Sequence, residues 1–199
     1  TTLIEKKGNE DSIQAEKLNT LGVKGSGLGL VAFNNSRVQE GNLLGTEIRD
    51  VLNLINFDRI GSIIMTLGMA EAAFEKALSY IRERKQFGKS IADFQGIQFM
   101  IAEMTASLKI IDHLVDLTIK EFRNDEISML SLAINKIECT RLMEDIVSKS
   151  IDLMGGSGYL EQYEVERIFR DSKSVSIGGG TREVLKNLVG KQMVYKYKF

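Results

Sequence analysis

The sequence predicts a mainly α protein, an antiparallel helical bundle of the four-helix kind preceded by a partial β domain. From about residue 50 onward, apolar residues recur at three- and four-residue steps, the period of a helix that buries one face. The helical segments are long and the connections between them short, which favours antiparallel neighbours in a bundle. Before residue 47 the pattern is different: short apolar runs broken by glycine and asparagine, the mark of strands and turns. The division therefore falls between a β region, residues 1–46, and a bundle, residues 47–199.

In the β region, Thr2-Leu3-Ile4 reads as a short strand, Gly8-Asn9-Glu10-Asp11 as a turn, and residues 28–33 as a second strand. Only about four short strands fit, too few to close a core unaided. The first helix carries Ile60, Ile64, Leu67, Ala70, Phe74, Leu78 and Ile81 on one face. Gly61, Gly68, Ala72 and Ala73 would let a neighbour approach it closely. It ends at a loop over residues 85–89. The second starts near Asp93, shows Ile97, Ile101, Met104, Leu108, Ile111, Val115 and Phe122, and breaks at Asn124-Asp125. The third, at about 127–153, shows Leu130, Ile134, Ile137, Ile146 and Leu153. Shorter helices follow at about 162–174 and 181–195, the last with Thr181 as N-cap and Glu183 in its first turn.

Composition narrows the function classes. With 26 basic and 27 acidic residues the formal net charge is −1, so no electrostatic reason exists to expect nucleic acid or an anionic membrane as partner. The single cysteine, Cys139, cannot close an internal disulfide and falls inside a helical pattern, which reads as a buried thiol in a reducing compartment. No apolar run reaches the ~20 residues needed to span a bilayer. His113 is the only histidine and has no partners at ligand spacing, so no metal is assigned.

Two glycine clusters, at 155–158 and 178–180, bracket a short amphipathic segment. Glycine permits φ > 0 and leaves nothing between backbone and ligand, which suits N–H groups presented to a phosphate or a flat ring. On glycine alone, two helix-joining loops explain them equally well. Arg82, Arg84, Lys85 and Lys89 crowd a helix end beside Phe87. That offers a guanidinium fork for phosphate oxygens, although basic residues at a helix C-terminus also simply favour its dipole.

Residues 153–183 resemble the last third of the acyl-CoA dehydrogenases, flavoenzymes whose sequences carry GGNGY, then a VERxxRDAK-like helix, then IYEGT or IGAGT. The matching residues are Gly155-Gly156-Ser157-Gly158-Tyr159, Val165-Glu166-Arg167 with Arg170-Asp171, and Ile177-Gly178-Gly179-Gly180-Thr181. Upstream, Arg84-Lys85-Gln86-Phe87-Gly88 and Phe94-Gln95 are similar to the family's RxxFG…FQ signature, and Leu21-Gly22-Val23-Lys24-Gly25-Ser26 resembles its LGMRxS strand. The resemblance covers only the C-terminal half of a usual member, with residues 1–46 as the end of its central β domain. The expectation is accordingly that these 199 residues alone bind flavin weakly or not at all and do not dehydrogenate by themselves.

The resemblance implies FAD-dependent α,β-dehydrogenation of a short or branched acyl-CoA, in a homodimer or homotetramer that passes electrons to an electron-transfer flavoprotein. It implies a soluble intracellular protein, in the mitochondrial matrix if eukaryotic and the cytoplasm if bacterial. Arg84, Phe87 and Gln95 inherit contacts to the FAD of a neighbouring subunit, as do Asp152, Gly155 and Gly156, where Asp152 replaces the family's usual Gln. Thr181 and Glu183 inherit contacts to the inner part of the flavin, while Arg182 departs from the usual Ser. Most members carry the α-proton base as the Glu of IYEGT, a slot filled here by Gly179, which cannot be a base. The isovaleryl-CoA and long-chain types place it instead on the first bundle helix just before an Arg, and Phe57-Asp58-Arg59 falls there. Asp58 is therefore the candidate base, with Arg59 orienting it on the substrate side and Gly178 and Gly179 opening room for a branched acyl group. Two other classes stand beside this reading. One is a flavin monooxygenase or oxidase on the same fold; the other is a non-catalytic oligomerising bundle.

Overall fold

The bundle is assembled around one helix, half of whose residues are buried. The computed structural model describes residues 11–42 and 48–195. Within them, helices α1 (Ile48–Glu83), α2 (Gln95–Arg123), α3 (Met129–Met154), α4 (Val165–Ile177) and α5 (Arg182–Tyr195) follow in order. Helix α3 packs against each of the other four. Its buried residues include Leu132, Met143, Ile146, Val147 and Leu153, and also the polar Asn135, Lys136, Thr140 and Ser150. Most of these polar groups are satisfied locally: Thr140 Oγ1 donates to Lys136 O at 2.8 Å and Ser150 Oγ to Ile146 O at 2.8 Å. Asn135 Nδ2 donates to Thr118 Oγ1 at 3.0 Å across the α2–α3 contact.

Each helix ends where its sequence allows. Asp125 takes a left-handed φ of 58° after α2, as expected of the Asn124-Asp125 break. Ser128 caps α3, its Oγ accepting from Ser131 N at 3.0 Å. Thr181 caps α5, its Oγ1 accepting from Val184 N at 3.4 Å. The buried seam of α1 is set by its small residues: Ala70, Ala73 and Ala77 are fully buried between Ile63 and Ile81. Ala73 thus permits the expected close approach, but Gly61 and Gly68 do not take part, because a Cβ on either would meet only open space. Ile64 and Ile134, expected on buried faces, are 42% exposed.

The β region lies against α4. Strands β1 (Ile13–Lys17) and β2 (Gly29–Phe33) pair antiparallel, with Ile13 opposite Phe33 and Lys17 opposite Gly29. The strand expected at Thr2-Leu3-Ile4 and the boundary at residue 46 lie outside the described residues, as does the turn at 8–11 apart from Asp11. Between the strands, Leu21-Gly22-Val23 docks on α4: Val23 N donates to Asp171 Oδ1 at 2.6 Å and Arg170 Nη1 to Leu21 O at 3.1 Å. Arg170 is held for this by Glu166, through bonds of 2.7 and 3.1 Å. Gly22 is required here, since a Cβ would stand 2.5 Å from the Arg170 carbonyl carbon. Residues 85–89, expected as a loop, instead form a second hairpin, β3 (Lys85–Gln86) with β4 (Lys89–Ser90). No helix among the described residues is long and apolar enough to cross a membrane.

Candidate functional site

Two groups of candidate residues come together, and they lie at opposite ends of α1. Asp58 stands in the third turn of that helix and Arg84 follows its end at Glu83. The 25 residues from Asp58 to Glu83 span roughly 38 Å at 1.5 Å per residue.

At the first end, Asp58 and Arg59 meet the turn between α4 and α5. Gly179 has φ +63° and Gly180 φ +110°, conformations that the helix-to-helix turn demands and L side chains rarely adopt. A Cβ on Gly179 would collide with Asp58 Oδ2, so the aspartate carboxylate already stands where a side chain of residue 179 would begin. Arg59, only 7% exposed, donates from Nε to Gly179 O at 3.0 Å and from Nη1 to Asn56 Oδ1 at 3.3 Å. Arg59 therefore binds the turn rather than the Asp58 carboxylate directly. Asp58 itself is exposed.

Beneath the turn lies Lys136 of α3, a residue without accessible surface. Its Nζ donates to Gly178 O and, at 3.4 Å, to Gly180 O. Burial pulls the ammonium below its ordinary pKa; Asp58 opposes that pull and Arg59 adds to it. Sequence reasoning missed this lysine, because nothing in the period of α3 marks it as buried.

Arg182, the departure next to the cap, has a partner of its own. Its Nη2 donates to Glu144 Oε2 at 2.6 Å, and Glu144 Oε1 faces Lys173 Nζ at 3.1 Å. Burial pushes the Glu144 carboxyl up, but the Ser176 hydroxyl, Lys173 and Arg182 outweigh it and hold it below the usual range. The guanidinium thus ties the start of α5 to α3. Thr181 is half-buried and Glu183 exposed, on the same end as Asp58.

At the other end, Arg84, Asp152, Gly155 and Gly156 line one open groove with Tyr80 and Ser157, whose hydroxyls lie 3.0 Å apart. A Cβ on Gly155 or Gly156 would meet nothing, so packing within the chain does not call for glycine at either. Asp152 is exposed, and its backbone carbonyl accepts from Gly155 N at the end of α3. Phe87 is 91% exposed at the tip of the β3–β4 hairpin with a left-handed φ of 51°. Its ring meets Phe94 edge-on at 6.2 Å. Gln95 opens α2 beside that pair, exposed, and does not line the groove. An exposed aromatic ring in a strained conformation is costly for this chain alone.

The profile of the acyl-CoA dehydrogenase C-terminal domain matches residues 48–194, the whole of the helical region up to the last turn of α5. The chain belongs to the acyl-CoA dehydrogenase family. Among its curated relatives, the mitochondrial short/branched chain specific acyl-CoA dehydrogenase of Bos taurus is 33% identical over 182 residues, which are 90% of this chain and 42% of that protein. The mitochondrial isovaleryl-CoA dehydrogenase of Oryza sativa subsp. japonica is 29% identical over 97% of this chain and 48% of its own length. The crystal structure of an acyl-CoA dehydrogenase from Geobacillus kaustophilus superposes with a TM-score of 0.88 at 27% identity, over 92% of this chain and 49% of that one. The chain spans about half the length of the curated relatives it matches. The motifs read from the sequence as this family's, from Arg84 to Thr181, thus sit in a member of it.

Proposed function

We propose that this chain supplies the helical half of a flavin-dependent acyl-CoA α,β-dehydrogenase acting on short or branched acyl groups, with Asp58 as the base that removes the α-proton. The observation that carries it is the overlap of the Asp58 carboxylate with the space of a Gly179 side chain. Those are the two positions at which the family resemblance locates the base, and here they coincide in space. The likeness to short/branched chain specific and isovaleryl-CoA dehydrogenases supports the acyl class.

FAD fits the residues present. Thr181 and Glu183 would hold it at the Asp58 end. Arg84, Phe87, Gln95, Gly155 and Gly156 would touch the FAD of a second copy, because some 38 Å separates the two ends, too far for one small molecule. Glycines without internal packing partners, a guanidinium beside them and an aromatic ring held outward suit a flat, phosphate-bearing group. The chemistry that FAD supplies when bound is acceptance of the hydride leaving the β-carbon. The chain's own part is proton handling: Asp58 takes the α-proton, the C–H electron pair becomes the new C=C bond, and Arg59 anchors the turn through the Gly179 carbonyl. Gly178 puts no side chain on the acyl side, while the space that Gly179 leaves is taken by the Asp58 carboxylate. A homodimer or larger homo-oligomer follows from the split between the two ends, and an electron-transfer flavoprotein is the acceptor by family.

The test is titration with FAD of a complete subunit that carries this helical half, following flavin fluorescence, and then addition of a branched acyl-CoA; these 199 residues alone should quench flavin weakly or not at all. Saturable quenching lost in Arg84→Ala, and flavin bleaching slowed about 10²-fold or more in Asp58→Asn, are the expected results. Bleaching at an unchanged rate in Asp58→Asn would remove Asp58 from the reaction.

A further inference from the structure

Lysine is almost never fully buried without partners, and Lys136 is fully buried in the body of α3. Its acceptors are the carbonyls of Gly178 and Gly180, which flank Gly179 on either side. The ammonium thus straddles the residue whose side-chain space holds the Asp58 carboxylate. A Cβ built on Gly179 is 3.1 Å from Lys136 Nζ and collides with Asp58 Oδ2. The two charges flank one point, within the ~4–6 Å over which opposite charges govern each other.

This arrangement answers a mechanical need. A carboxylate borne by residue 179 would be placed by the backbone of the turn itself. Asp58 comes from α1, so its position over the turn is only as good as the registration of α1, the turn and α3. Arg59 ties α1 to the turn through Gly179 O. Lys136 ties the turn itself to α3 through two of its carbonyls, beside the Glu144 links to Lys173 and Arg182 on either side of it.

We propose that Lys136 is the positioning residue of the Asp58 site, its ammonium gripping the turn through Gly178 and Gly180 while its charge holds the Asp58 carboxylate over Gly179. The catalytic meaning rests on Asp58 being the base; the coupling of the two residues does not. The groups that face Lys136 are Asp58 and Arg59 from α1 and the carbonyls of the turn; the nearest polar side chain on its own helix, Thr140, bonds back to its main-chain carbonyl.

The experiment is a pH titration of lysine ¹³Cε resonances in the full chain, without flavin or acyl-CoA, with Lys136 assigned by through-bond correlation. In Asp58→Asn the Lys136 midpoint falls further below the ordinary lysine value, since the one group raising it is gone. In Lys136→Met the amides of Gly179 and Gly180 exchange faster while the rest of the bundle keeps its protection. An unmoved Lys136 midpoint in Asp58→Asn overturns the proposal, and that variant alters an exposed side chain, so it decides the matter even if Lys136→Met does not fold. A shifted midpoint with undiminished turnover in Asp58→Asn would leave the coupling standing and remove the base assignment; the reverse pair of results would do the opposite.

Discussion

Replacing Gly179 by alanine sets stability against function in a way the geometry resolves. Two costs arise. At φ +63° an L residue loses about 1–2 kcal/mol relative to glycine. The new Cβ also collides with Asp58 Oδ2 and comes within 3.4 Å of its Cγ. If Asp58 were locked in place, that collision would resemble overpacking of a core, a further 1–3 kcal/mol or so. But Asp58 is exposed, so its carboxylate can leave the Lys136 ammonium for water, which solvates it, and the rotamer change adds about 0.5–1.5 kcal/mol. The carboxylate should therefore yield. Urea unfolding followed by circular dichroism should give a loss of about 1–2 kcal/mol for Gly179→Ala, close to that for Gly155→Ala, which has φ +56° and open space around its Cβ. The two variants should differ in what happens to Lys136. Its titration midpoint falls in Gly179→Ala as in Asp58→Asn, because the carboxylate has left, and stays put in Gly155→Ala. A displacement of about 1 Å would also cost on the order of 10²-fold in acyl-CoA turnover. Equal Lys136 midpoints in the two alanine variants would refute the placement of Asp58 over Gly179.

The Glu144 cluster predicts a pH signature. Its folded pKa lies below the ordinary 4.5, so its stabilising effect is full above that value and is lost as pH falls through the folded value. The wild type should exceed Glu144→Gln by about 1–2 kcal/mol near pH 7, the difference fading below about pH 4.5 in unfolding experiments. Asp171→Ala removes the 2.6 Å acceptor of Val23 N, so hydrogen exchange at Val23 should rise and proteolysis of the β1–β2 segment should quicken, for a loss of about 1–2 kcal/mol. Phe87→Asn would place Asn-Gly in a two-residue turn whose central residues both have positive φ. It should raise the unfolding free energy by about 0.5–1 kcal/mol while weakening flavin binding; equal or tighter binding would release Phe87 from that role.

The helices were legible because the signals for them are local. Period, length and the break at Asn124-Asp125 fixed α2 to within two residues, and Thr181 as a cap fixed the start of α5. What periodicity did not give was which line of a helix lies deepest. In α1 the expected face included Ile64, which is 42% exposed, as well as Ala70, which is fully buried; the deepest line runs on from Ala70 through Ala73, expected only as a point of close approach, and Ala77. A large side chain draws attention in a sequence, but close packing between long helices selects the small ones. The hairpin at Lys85–Ser90 was equally hidden. A turn with Phe at a left-handed position contradicts the usual turn chemistry, so propensity argues against the structure that forms.

The site divided along the same physical line. Positions identified by motif, from Arg84 to Thr181, fall into two spatial groups, and Gly155 and Gly156 are open to contact in the way the motif implies. One departure from the motif and one of its matching segments are explained by partners far away in sequence, while nothing in the structure explains Asp152. Arg182 replaces a small residue because Glu144, 38 positions earlier, takes its guanidinium. Glu166, Arg170 and Asp171, read as part of a family helix, act as the dock for Leu21-Gly22-Val23, some 148 positions upstream. Lys136 left no trace at all. On α3 buried residues occur on several sides and include Asn135, Thr140 and Ser150, so polarity does not mark the buried face, and the acceptors of Lys136 are backbone carbonyls, which carry no residue identity. A buried cation held by main chain is invisible to pattern for that reason, and it becomes detectable only once the fold brings residues 136 and 178–180 together.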